Sequence, residues 1–228
     1  MPQLLVKYIF TDEALSVQVH PDDQHAQLGG RPRGKDECWL VISAEPGAAL
    51  GIGFREPMDS RRLVSAAQSG EIVESLAWHP VQPGDFFYIP AGTVHAIGGG
   101  IGLIEIQQNS DITYRLYDFE RRRELHLEEA AAIAQLGHYD SQLHRSVAPG
   151  QTALLVEGPH FRLDQLTGRP DAEMERRYGD RPIVVLARSG RISAGGTRIP
   201  EGSCAQVASL GELTVEAGGC CLVTQPCN

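Results

Sequence analysis

The chain has 228 residues, of which 42% are hydrophobic, and its formal net charge is −9, from 29 acidic and 20 basic side chains. A chain of this length buries a sizeable core, as one large domain or two small ones, and its hydrophobic share excludes a disordered protein. No long basic run is present, so we expect no nucleic-acid partner, because neutralising phosphates requires clustered Lys and Arg. A small anionic substrate needs only a local cationic pocket and is compatible with this charge.

The cysteine content and the hydropathy of the chain indicate its cellular compartment. The five cysteines are an odd number, and those near the C-terminus lack paired C-x-x-C spacing, so ordinary thiols are favoured over a thiolate metal cluster. No apolar run approaches the roughly 18 residues of a membrane helix, and no charged-then-apolar leader opens the chain. We therefore expect a reduced, cytoplasmic protein with no membrane partner.

The first two predicted strands are residues 4–9 and 15–20. In the second of them apolar residues alternate with polar ones, and this period of two places Gln18 and His20 together on one face. A Pro-Asp-Asp turn ends this strand, and the glycine-rich residues 24–34 that follow are predicted to form a loop.

A further strand and a helical segment are predicted next. Residues 35–43 form the strand, in which Lys35 and Glu37 share one face. From Asp59 to Ala77 apolar residues recur at spacings of three and four, which predicts a helix with a break at Ser69-Gly70.

The stretch from Gly84 to His95 reads G-D-F-F-Y-I-P-A-G-T-V-H and predicts a strand, a turn and a second strand. Pro90 and Gly92 force the turn, because proline fixes φ and glycine tolerates a positive φ. The turn holds His95 at the start of the second strand, where its imidazole can point into a barrel. This spacing resembles the second conserved motif of the cupin superfamily, small β-barrels with a metal bound inside. A β-hairpin with a surface histidine is the alternative.

The rest of the chain contains more strands and one helix. Residues 103–107 and 112–117 are strand-like, and the alanine- and glutamate-rich residues 124–136 are predicted to form a helix that Gly137 ends. Beyond about residue 152, glycine turns separate apolar runs, which indicates a second sandwich or barrel. These runs are residues 153–156, 183–187, 204–208 and 220–224.

Four of these polar residues offer a set of metal-ligand atoms: Gln18, His20, Glu37 and His95. Two imidazoles and one carboxylate suit Zn²⁺ or a similar divalent ion, and they leave a coordination position for substrate or water. With a single anionic ligand the site keeps a positive charge, which favours a Lewis acid that polarises substrate oxygens. The alternative is a set of polar residues that point to solvent from unrelated strands.

Two cations are candidates for work on a substrate. Lys35 is expected to face the same cavity as Glu37, where a divalent cation would lower its pKa and let it move protons near neutral pH; a solvated lysine is the alternative. Arg115 shares strand parity with Asp111 and Thr113 and is expected at the barrel mouth, where it can hold a phosphate or stabilise an oxyanion. A surface salt bridge is the alternative for Arg115.

Four segments resemble type I mannose-6-phosphate isomerase, and the match covers residues 4 to about 130. Members of this family interconvert mannose 6-phosphate and fructose 6-phosphate through a cis-enediol, with zinc holding the sugar oxygens. The segments, in order, are L-S-V-Q-V-H-P-D-D (15–23), G-K-D-E-C-W (34–39), G-D-F-F-Y-I-P-A-G-T-V-H-A-I (84–97) and E-I-Q-Q-N-S-D-I-T-Y-R-L-Y-D-F (105–119).

The resemblance implies roles for individual residues. It implies that the zinc ligands are Gln18, His20, Glu37 and His95. Lys35 is then the candidate for proton transfer and Arg115 the active-site arginine, and the candidates for binding substrate are Lys35, Arg115 and Asp111.

The chain departs from the family pattern at two places and matches it weakly at a third. It opens almost directly on the family's Leu-Leu-Val-Lys strand, so we expect the strands that precede it in the family to be missing. Too few residues separate Glu37 from His95 for the large helical domain of longer members, and short bacterial members are the better match. The C-terminal barrel matches only weakly.

We expect an all-β protein with two cupin-like β-barrels (jelly rolls) and small helical insertions. Residues 1–120 are predicted to form the catalytic metal-binding barrel, with a small helical segment at about 58–77. Residues 121–150 are predicted to be a helical connector, and residues 151–228 a second, degenerate barrel without metal.

The predicted function is a zinc-dependent aldose–ketose isomerase with one Zn²⁺ per chain. Its predicted partner is a small-molecule hexose phosphate, and the protein is expected to be a monomer or homodimer. One alternative is a non-catalytic metal-binding cupin that binds a sugar phosphate as a sensor or partner module. The other is a metal-dependent cupin oxygenase, which is disfavoured because such sites usually carry more histidines.

Overall fold

The computed structural model describes residues 2–227, and the chain divides into two compact units between Arg145 and Ser146. Strands form most of the regular structure in both units, so the all-β prediction is confirmed. The elements of the first unit are, in chain order, β1 (Leu4–Thr11), β2 (Val17–Val19), α1 (Asp23–Leu28), β3 (Glu37–Ala44), β4 (Ala49–Phe54), α2 (Ser60–Ser69), α3 (Ile72–Ser75), β5 (Leu76–Pro80), β6 (Asp85–Ile89), β7 (His95–Ile97), β8 (Ile101–Gln108), β9 (Tyr114–Tyr117), α4 (Leu127–Ile133) and β10 (His144–Ser146, which spans the boundary).

The strands of the first unit form two antiparallel sheets. The first sheet has the order β10–β6–β3–β8–β1, and the second has the order β5–β4–β7–β2–β9. The chain crosses from one sheet to the other at nearly every connection, which is typical of jelly rolls. Residues that are near in sequence, such as those of β2 and β3, therefore contribute to opposite walls of one sandwich.

A hydrophobic core fills the space between the two sheets. Trp39 and Phe87 enter it from the first sheet, and Leu50 and Ile52 enter it from the second, all of them fully buried. Burying each such side chain stabilises the fold by roughly 1.5–3 kcal/mol. The Trp39 ring also meets the ring of His95 edge-on, with centroids 5.2 Å apart, so the core extends to the predicted site.

Two helices cover the outer face of the second sheet and fix which residues of β2 point inward. Buried side chains of α2 and α4 pack in one cluster with Val17 and Val19 of β2. Because side chains alternate along a strand, covering these valines on the outer face directs Gln18 inward. The predicted alternation in this strand is therefore confirmed, although β2 is shorter than residues 15–20.

The predicted loop at residues 24–34 was partly wrong, because it begins inside the short helix α1. The Asp22 carboxylate caps this helix by accepting a hydrogen bond of 2.8 Å from the backbone N–H of His25. Helix α1 spans only six residues, too few for a helical hydrophobic pattern to be visible in the sequence.

The two ends of the segment that carries α1 are joined. A Cβ atom on Gly34 would lie 2.4 Å from the carbonyl oxygen of Pro21, so only glycine fits there. The backbone N–H of Lys35 donates to the same oxygen at 2.9 Å. Strand β3 begins at Glu37, so the prediction that Lys35 lies within the strand was wrong, but this hydrogen bond still fixes Lys35 beside it.

The helical segment predicted at residues 59–77 consists of two short helices and the start of a strand. Helix α2 ends before Gly70, whose φ of 84° is a left-handed conformation that glycine adopts without strain. Helix α3 is only four residues long, and Leu76 already belongs to β5. The helix predicted at residues 124–136 is also present, as the shorter α4.

The second unit contains two further antiparallel sheets. Their orders are β11–β12–β18–β13–β16 and β15–β14–β17, and all four apolar runs predicted as strands are strands. The functional domains predicted at residues 1–120, 121–150 and 151–228 stay predictions. The elements are β11 (Ala153–Glu157), β12 (Phe161–Leu166), α5 (Ala172–Tyr178), β13 (Ile183–Ser189), β14 (Ile192–Ala194), β15 (Thr197–Ile199), β16 (Cys204–Val207), β17 (Leu213–Val215) and β18 (Cys220–Pro226).

The structure also bears on the cysteines and on membranes. All five cysteines are free thiols, and Cys38, Cys220 and Cys221 are buried. Among residues 2–227, no helix combines the length and the apolar character needed to cross a membrane.

Candidate active site

Two histidines and one carboxylate meet inside the first unit. His20 follows β2, while Glu37 and His95 are the first residues of β3 and β7, and all three are buried. His20 Nε2 lies 3.5 Å from Glu37 Oε2, and His95 Nε2 lies 3.4 Å from Glu37 Oε1. One possible ligand atom from each residue lies within 4.8 Å of the others. Three of the four predicted metal ligands thus form this cluster, and the fourth, Gln18, lies against His95.

Backbone carbonyls fix which nitrogen of each imidazole carries the proton. His20 Nδ1 lies 2.9 Å from the carbonyl oxygen of Ile112, and His95 Nδ1 lies 2.9 Å from that of Thr93. Because a carbonyl oxygen can only accept, each Nδ1 is the protonated nitrogen and donates. Both Nε2 atoms are therefore unprotonated and lie on the side of Glu37, which is the usual arrangement of histidines that bind metals.

Gln18 adds an amide to this cluster. It pairs with His95 across the β2–β7 ladder, and its Nε2 lies 3.2 Å from His95 Nε2. Its Oε1 accepts a hydrogen bond of 3.2 Å from Ser16. A half-turn of the terminal amide exchanges oxygen and nitrogen at this point, so Gln18 can offer either a donor or an oxygen ligand.

The Glu37 carboxylate has the surroundings expected of a metal ligand. Neither of its buried oxygens accepts a hydrogen bond of good geometry, although Lys35 Nζ lies 2.8 Å from Oε2. A buried carboxylate without hydrogen bonds is costly unless a cation compensates it. Together with two unprotonated imidazole nitrogens, this buried carboxylate, which the Lys35 ammonium faces at 2.8 Å, fits a divalent cation such as Zn²⁺.

Burial changes the protonation of all three residues. It lowers the pKa of His20 well below its ordinary value and that of His95 to about 4, and the nearby Lys35 ammonium lowers both further. Burial raises the pKa of Glu37 to about 7, although Lys35 acts in the opposite direction. Both imidazoles are therefore neutral near pH 7, while Glu37 can hold or release a proton.

Lys35 is buried beside this cluster, so the alternative of a solvated lysine is wrong. Its Nζ lies 3.1 Å from His20 Nε2 and 2.8 Å from Glu37 Oε2. Burial lowers its pKa, but the carboxylates of Glu37 and Glu105 outweigh burial, so the pKa lies above its ordinary value. The lowered pKa predicted from the sequence presupposed a divalent cation, which neutralises Glu37; without one the direction is opposite.

Hydrogen bonds of Asp36 fix the start of β3, where Glu37 lies. Its side chain points away from the cluster, and its carboxylate accepts hydrogen bonds from the Tyr88 hydroxyl and, at 2.9 Å, from the backbone N–H of Ala91. Its own backbone N–H donates to Gln108 at 2.9 Å. The start of β3 is thereby joined to the turn that precedes His95 and to the end of β8.

A second buried carboxylate, Glu105 in β8, was missed in the sequence. Lys7 Nζ lies 2.5 Å from Glu105 Oε2 and also donates to Gln107, and Trp39 Nε1 donates to Glu105 Oε1 at 3.4 Å. Burial raises the pKa of Glu105, but Lys35 and Lys7 lower it more, so Glu105 stays ionised. Lys7, Glu105 and Trp39 occupy one row across β1, β8 and β3. The sequence signal that could have revealed Glu105 is its position two residues before Gln107, because residues two apart in a strand point to the same face.

Arg115 lies on the same face as Gln18, opposite it in the β2–β9 ladder. Its Nη1 donates to the carbonyl oxygen of Glu124 at 2.9 Å, and its buried Nε has no hydrogen-bond partner among residues 2–227. The Asp111 side chain, in contrast, is 89% exposed and lies 3.6 Å from Arg31. The structure therefore places Asp111 at the surface, outside the cluster, and its role in substrate binding stays a prediction.

Sequence comparison finds curated relatives over most of the chain, although no family model matches it. The chain is 38% identical over 202 residues to the mannose-6-phosphate isomerase of Streptococcus mutans serotype c, which covers 84% of the chain and 63% of the relative. It is 34% identical over 231 residues to the probable mannose-6-phosphate isomerase GmuF of Bacillus subtilis, which covers 93% of the chain and 71% of the relative. The chain thus spans 63–64% of the first two relatives' length.

Solved structures with the same fold support the sequence comparison. The crystal structure of the mannose 6-phosphate isomerase from Bacillus subtilis has a TM-score of 0.79 at 26% identity, and it covers 98% of this chain and 75% of that one. A mutant phosphomannose isomerase from Salmonella typhimurium has a TM-score of 0.67 at 15% identity, covering 97% and 79%. The predicted cupin fold is confirmed. The chain belongs to the mannose-6-phosphate isomerase family.

Proposed function

We propose that this chain is a zinc-dependent aldose–ketose isomerase that interconverts mannose 6-phosphate and fructose 6-phosphate through a cis-enediol. The observation that carries the proposal is the contact of Lys35 with the buried His20–Glu37–His95 cluster, at 2.8 Å from Glu37 and 3.1 Å from His20. A proton carrier beside a metal-ligand set is what isomerisation of a sugar requires. The names of the relatives point to the same substrate class.

The ligands that would hold Zn²⁺ are His20, Glu37 and His95, with Gln18 as a weaker neutral ligand. When bound, the ion would supply a Lewis acid that polarises the sugar oxygens. Support comes from the two unprotonated Nε2 atoms and from the Glu37 oxygens that accept no hydrogen bond of good geometry. Because only three of these ligands bind the ion strongly, a coordination position remains for substrate.

Lys35 would carry the proton. Isomerisation breaks the C2–H bond of the open-chain aldose, and the electron pair of that bond becomes the C1=C2 double bond of the enediol while O1 gains a proton. The neutral amine of Lys35 takes the C2 proton and later returns it to C1, and C2 becomes the carbonyl as O2–H releases its proton. The proton released at O2 balances the one gained at O1, so no net proton is consumed. The amine must lose its own proton first, and that requires the charge on neighbouring Glu37 to be neutralised.

Arg115 would stabilise negative charge on the substrate. Its buried Nε lacks a hydrogen-bond partner among the described residues, and its side chain is on the face of Gln18. No carboxylate within residues 2–227 lies within ion-pair distance of it, although its charge, after that of Arg123, contributes to lowering the pKa of Asp118. Such a guanidinium can hold a phosphate or the enediolate oxygen.

We infer one zinc site per chain. The single histidine after residue 150 is His160, so the second unit cannot offer a two-histidine site. Its buried carboxylate, Asp164, is already paired: Tyr178 donates to it at 2.8 Å and Arg177 at 2.6 Å. A cytoplasmic location and a small hexose phosphate as the partner complete the proposal.

A coupled assay tests the proposal. Fructose 6-phosphate formed from mannose 6-phosphate is converted by phosphoglucose isomerase and glucose-6-phosphate dehydrogenase, and NADPH is followed by absorbance. We expect turnover with zinc, loss of turnover after chelation, and recovery when zinc is restored. Glu37→Gln is the matched control and should stay inactive with zinc. Zinc-loaded, folded protein that binds mannose 6-phosphate but forms no fructose 6-phosphate would refute the proposal.

A further inference from the structure

The backbone around Lys35 is held by side chains and turns rather than by a strand ladder. The ladders of β3 begin at Glu37, two residues beyond Lys35. Three consecutive backbone N–H groups hold the preceding segment, and each donates to an acceptor from another part of the chain. Gly34 donates to the carboxylate of Asp23 at 2.7 Å, Lys35 to the carbonyl oxygen of Pro21 at 2.9 Å, and Asp36 to the side-chain oxygen of Gln108 at 2.9 Å.

One carboxylate oxygen acts on both sides of Lys35. Asp23 Oδ1 accepts the backbone N–H of Gly34 and also, at 3.0 Å, the side-chain N–H of Gln108. Because a carboxylate oxygen accepts, the nitrogen of the Gln108 amide must face Asp23, and the amide oxygen then faces the N–H of Asp36. Asp23 thus fixes Gly34 directly and Asp36 through Gln108.

Burial makes this arrangement rigid. Gly34, Lys35, Asp36 and Gln108 are all buried, so a donor that loses its acceptor there is left without water to replace it. The Lys35 side chain has four rotatable bonds, and its ammonium lies 2.8 Å from Glu37. A shift of the backbone of Lys35 would therefore move the ammonium away from the cluster.

We propose that Asp23 is a positioning residue for Lys35: its carboxylate, acting through Gly34 and Gln108, sets where the Lys35 ammonium lies. This inference rests on the proposed function, in which Lys35 carries the C2 proton. Proton transfer requires the carrier within hydrogen-bond reach of the substrate, and a misplacement of about 1 Å can cost about a hundredfold in rate. Asp23 needs no contact with the substrate for this role.

Kinetics of zinc-loaded variants in the coupled assay test the proposal. Asp23→Ala should lower kcat about tenfold or more and leave KM and zinc content within about twofold, because the metal ligands and Arg115 are unchanged. Asp23→Asn keeps an oxygen that can accept both bonds and should restore kcat to within about threefold of the wild type. Asp22→Ala is the matched control: it removes the cap of α1, which accepts from the N–H of His25 at 2.8 Å, and should keep the wild-type kcat.

Hydrogen exchange of single amides, followed by NMR on the full chain, measures the same bonds without turnover. In Asp23→Ala the amides of Gly34 and Asp36 should exchange about tenfold faster or more, whereas the amide of Phe87 in β6 should not change. The Asp36 amide is decisive, because Asp23 acts on it through Gln108. In Asp22→Ala the amides of Gly34 and Asp36 should exchange as in the wild type.

A second variant covers the case in which Asp23→Ala does not fold. Gln108→Met has a similar volume and removes only the link to Asp36, so it should lower kcat in the same way. Folded variants of Asp23 or Gln108 with the wild-type kcat overturn the proposal, and so does an Asp36 amide whose exchange does not change.

Two further outcomes are distinguishable from these. An equal loss of kcat in Asp22→Ala and Asp23→Ala overturns the proposal, since the integrity of α1 would then matter rather than the bonds of Asp23. A wild type that forms no fructose 6-phosphate refutes the proposed function instead, and the exchange rates then decide by themselves whether Asp23 holds the segment of Lys35.

Discussion

Zinc affinity should fall steeply as the pH drops below 7, because one proton must leave the site before the ion binds. Burial raises the pKa of Glu37 to about 7, but it lowers the pKa of His95 to about 4 and that of His20 well below its ordinary value. Between pH 5 and pH 7 the imidazoles are already neutral, and Glu37 is the group that loses a proton to zinc.

The size of this loss of zinc affinity follows from the release of one proton when the ion binds. Below pH 7 the ion competes with the proton on Glu37, so the affinity falls about tenfold per pH unit. From pH 7 to pH 5 the loss is about a hundredfold, or about 2.7 kcal/mol. Above pH 7 Glu37 is already ionised and adds no further pH dependence.

Competition titrations with a chromophoric chelator between pH 5 and pH 7.5 measure this slope. Glu37→Gln is the control, because it removes the titrating group. Its zinc affinity should be weaker than that of the wild type and should not fall tenfold per pH unit. A wild-type affinity that is constant from pH 5 to pH 7 would contradict the reasoning. A slope of two or more protons would also contradict it, because a second group, His20, His95 or Lys35, would then release a proton in this range.

Three further results are expected. Arg115→Ala should keep its zinc but lose about a hundredfold or more in kcat/KM, the scale of losing an oxyanion donor; normal turnover would return Arg115 to a surface role. Asp36→Ala leaves the partly buried N–H of Ala91 without its acceptor and should lower the free energy of unfolding in urea by about 2 kcal/mol, and Asp36→Asn by less; equal losses in both variants would contradict this. Metal analysis should find about one zinc per chain, lost in His20→Ala or His95→Ala, whereas about two that survive both would disprove a single site.

The metal-ligand set could be predicted because strand parity does not depend on where a strand begins or ends. Strand β2 is shorter than predicted and β3 starts two residues later than predicted, yet Gln18 and Glu37 still point inward. A side chain's face follows from the period of two alone. For Asp111 the same argument fails, because β9 begins only at Tyr114 and parity has no meaning outside the strand.

The row of Lys7, Glu105 and Trp39 could not be predicted from the sequence. It depends on the order β1–β8–β3 and on the register of two ladders, and a slip of one residue would turn each side chain to the other face. Helix α1 was missed for a related reason. It is short, and the contact of its segment with Gly34 is a tertiary feature; its cap, Asp22, is local, but the Pro-Asp-Asp pattern predicts a turn there.

The exchange of the C2 proton of mannose 6-phosphate with solvent tests the central claim, which is that this site moves a proton. NMR in D₂O should show exchange with zinc-loaded wild type and none after chelation. Lys35→Met keeps the bulk of the side chain but cannot carry the proton, so it should bind zinc and sugar phosphate and exchange about a hundredfold or more slowly. Equal rates in both proteins would mean that Lys35 is not the base. Zinc-loaded wild type that binds the sugar phosphate and never exchanges the proton would contradict the isomerase account.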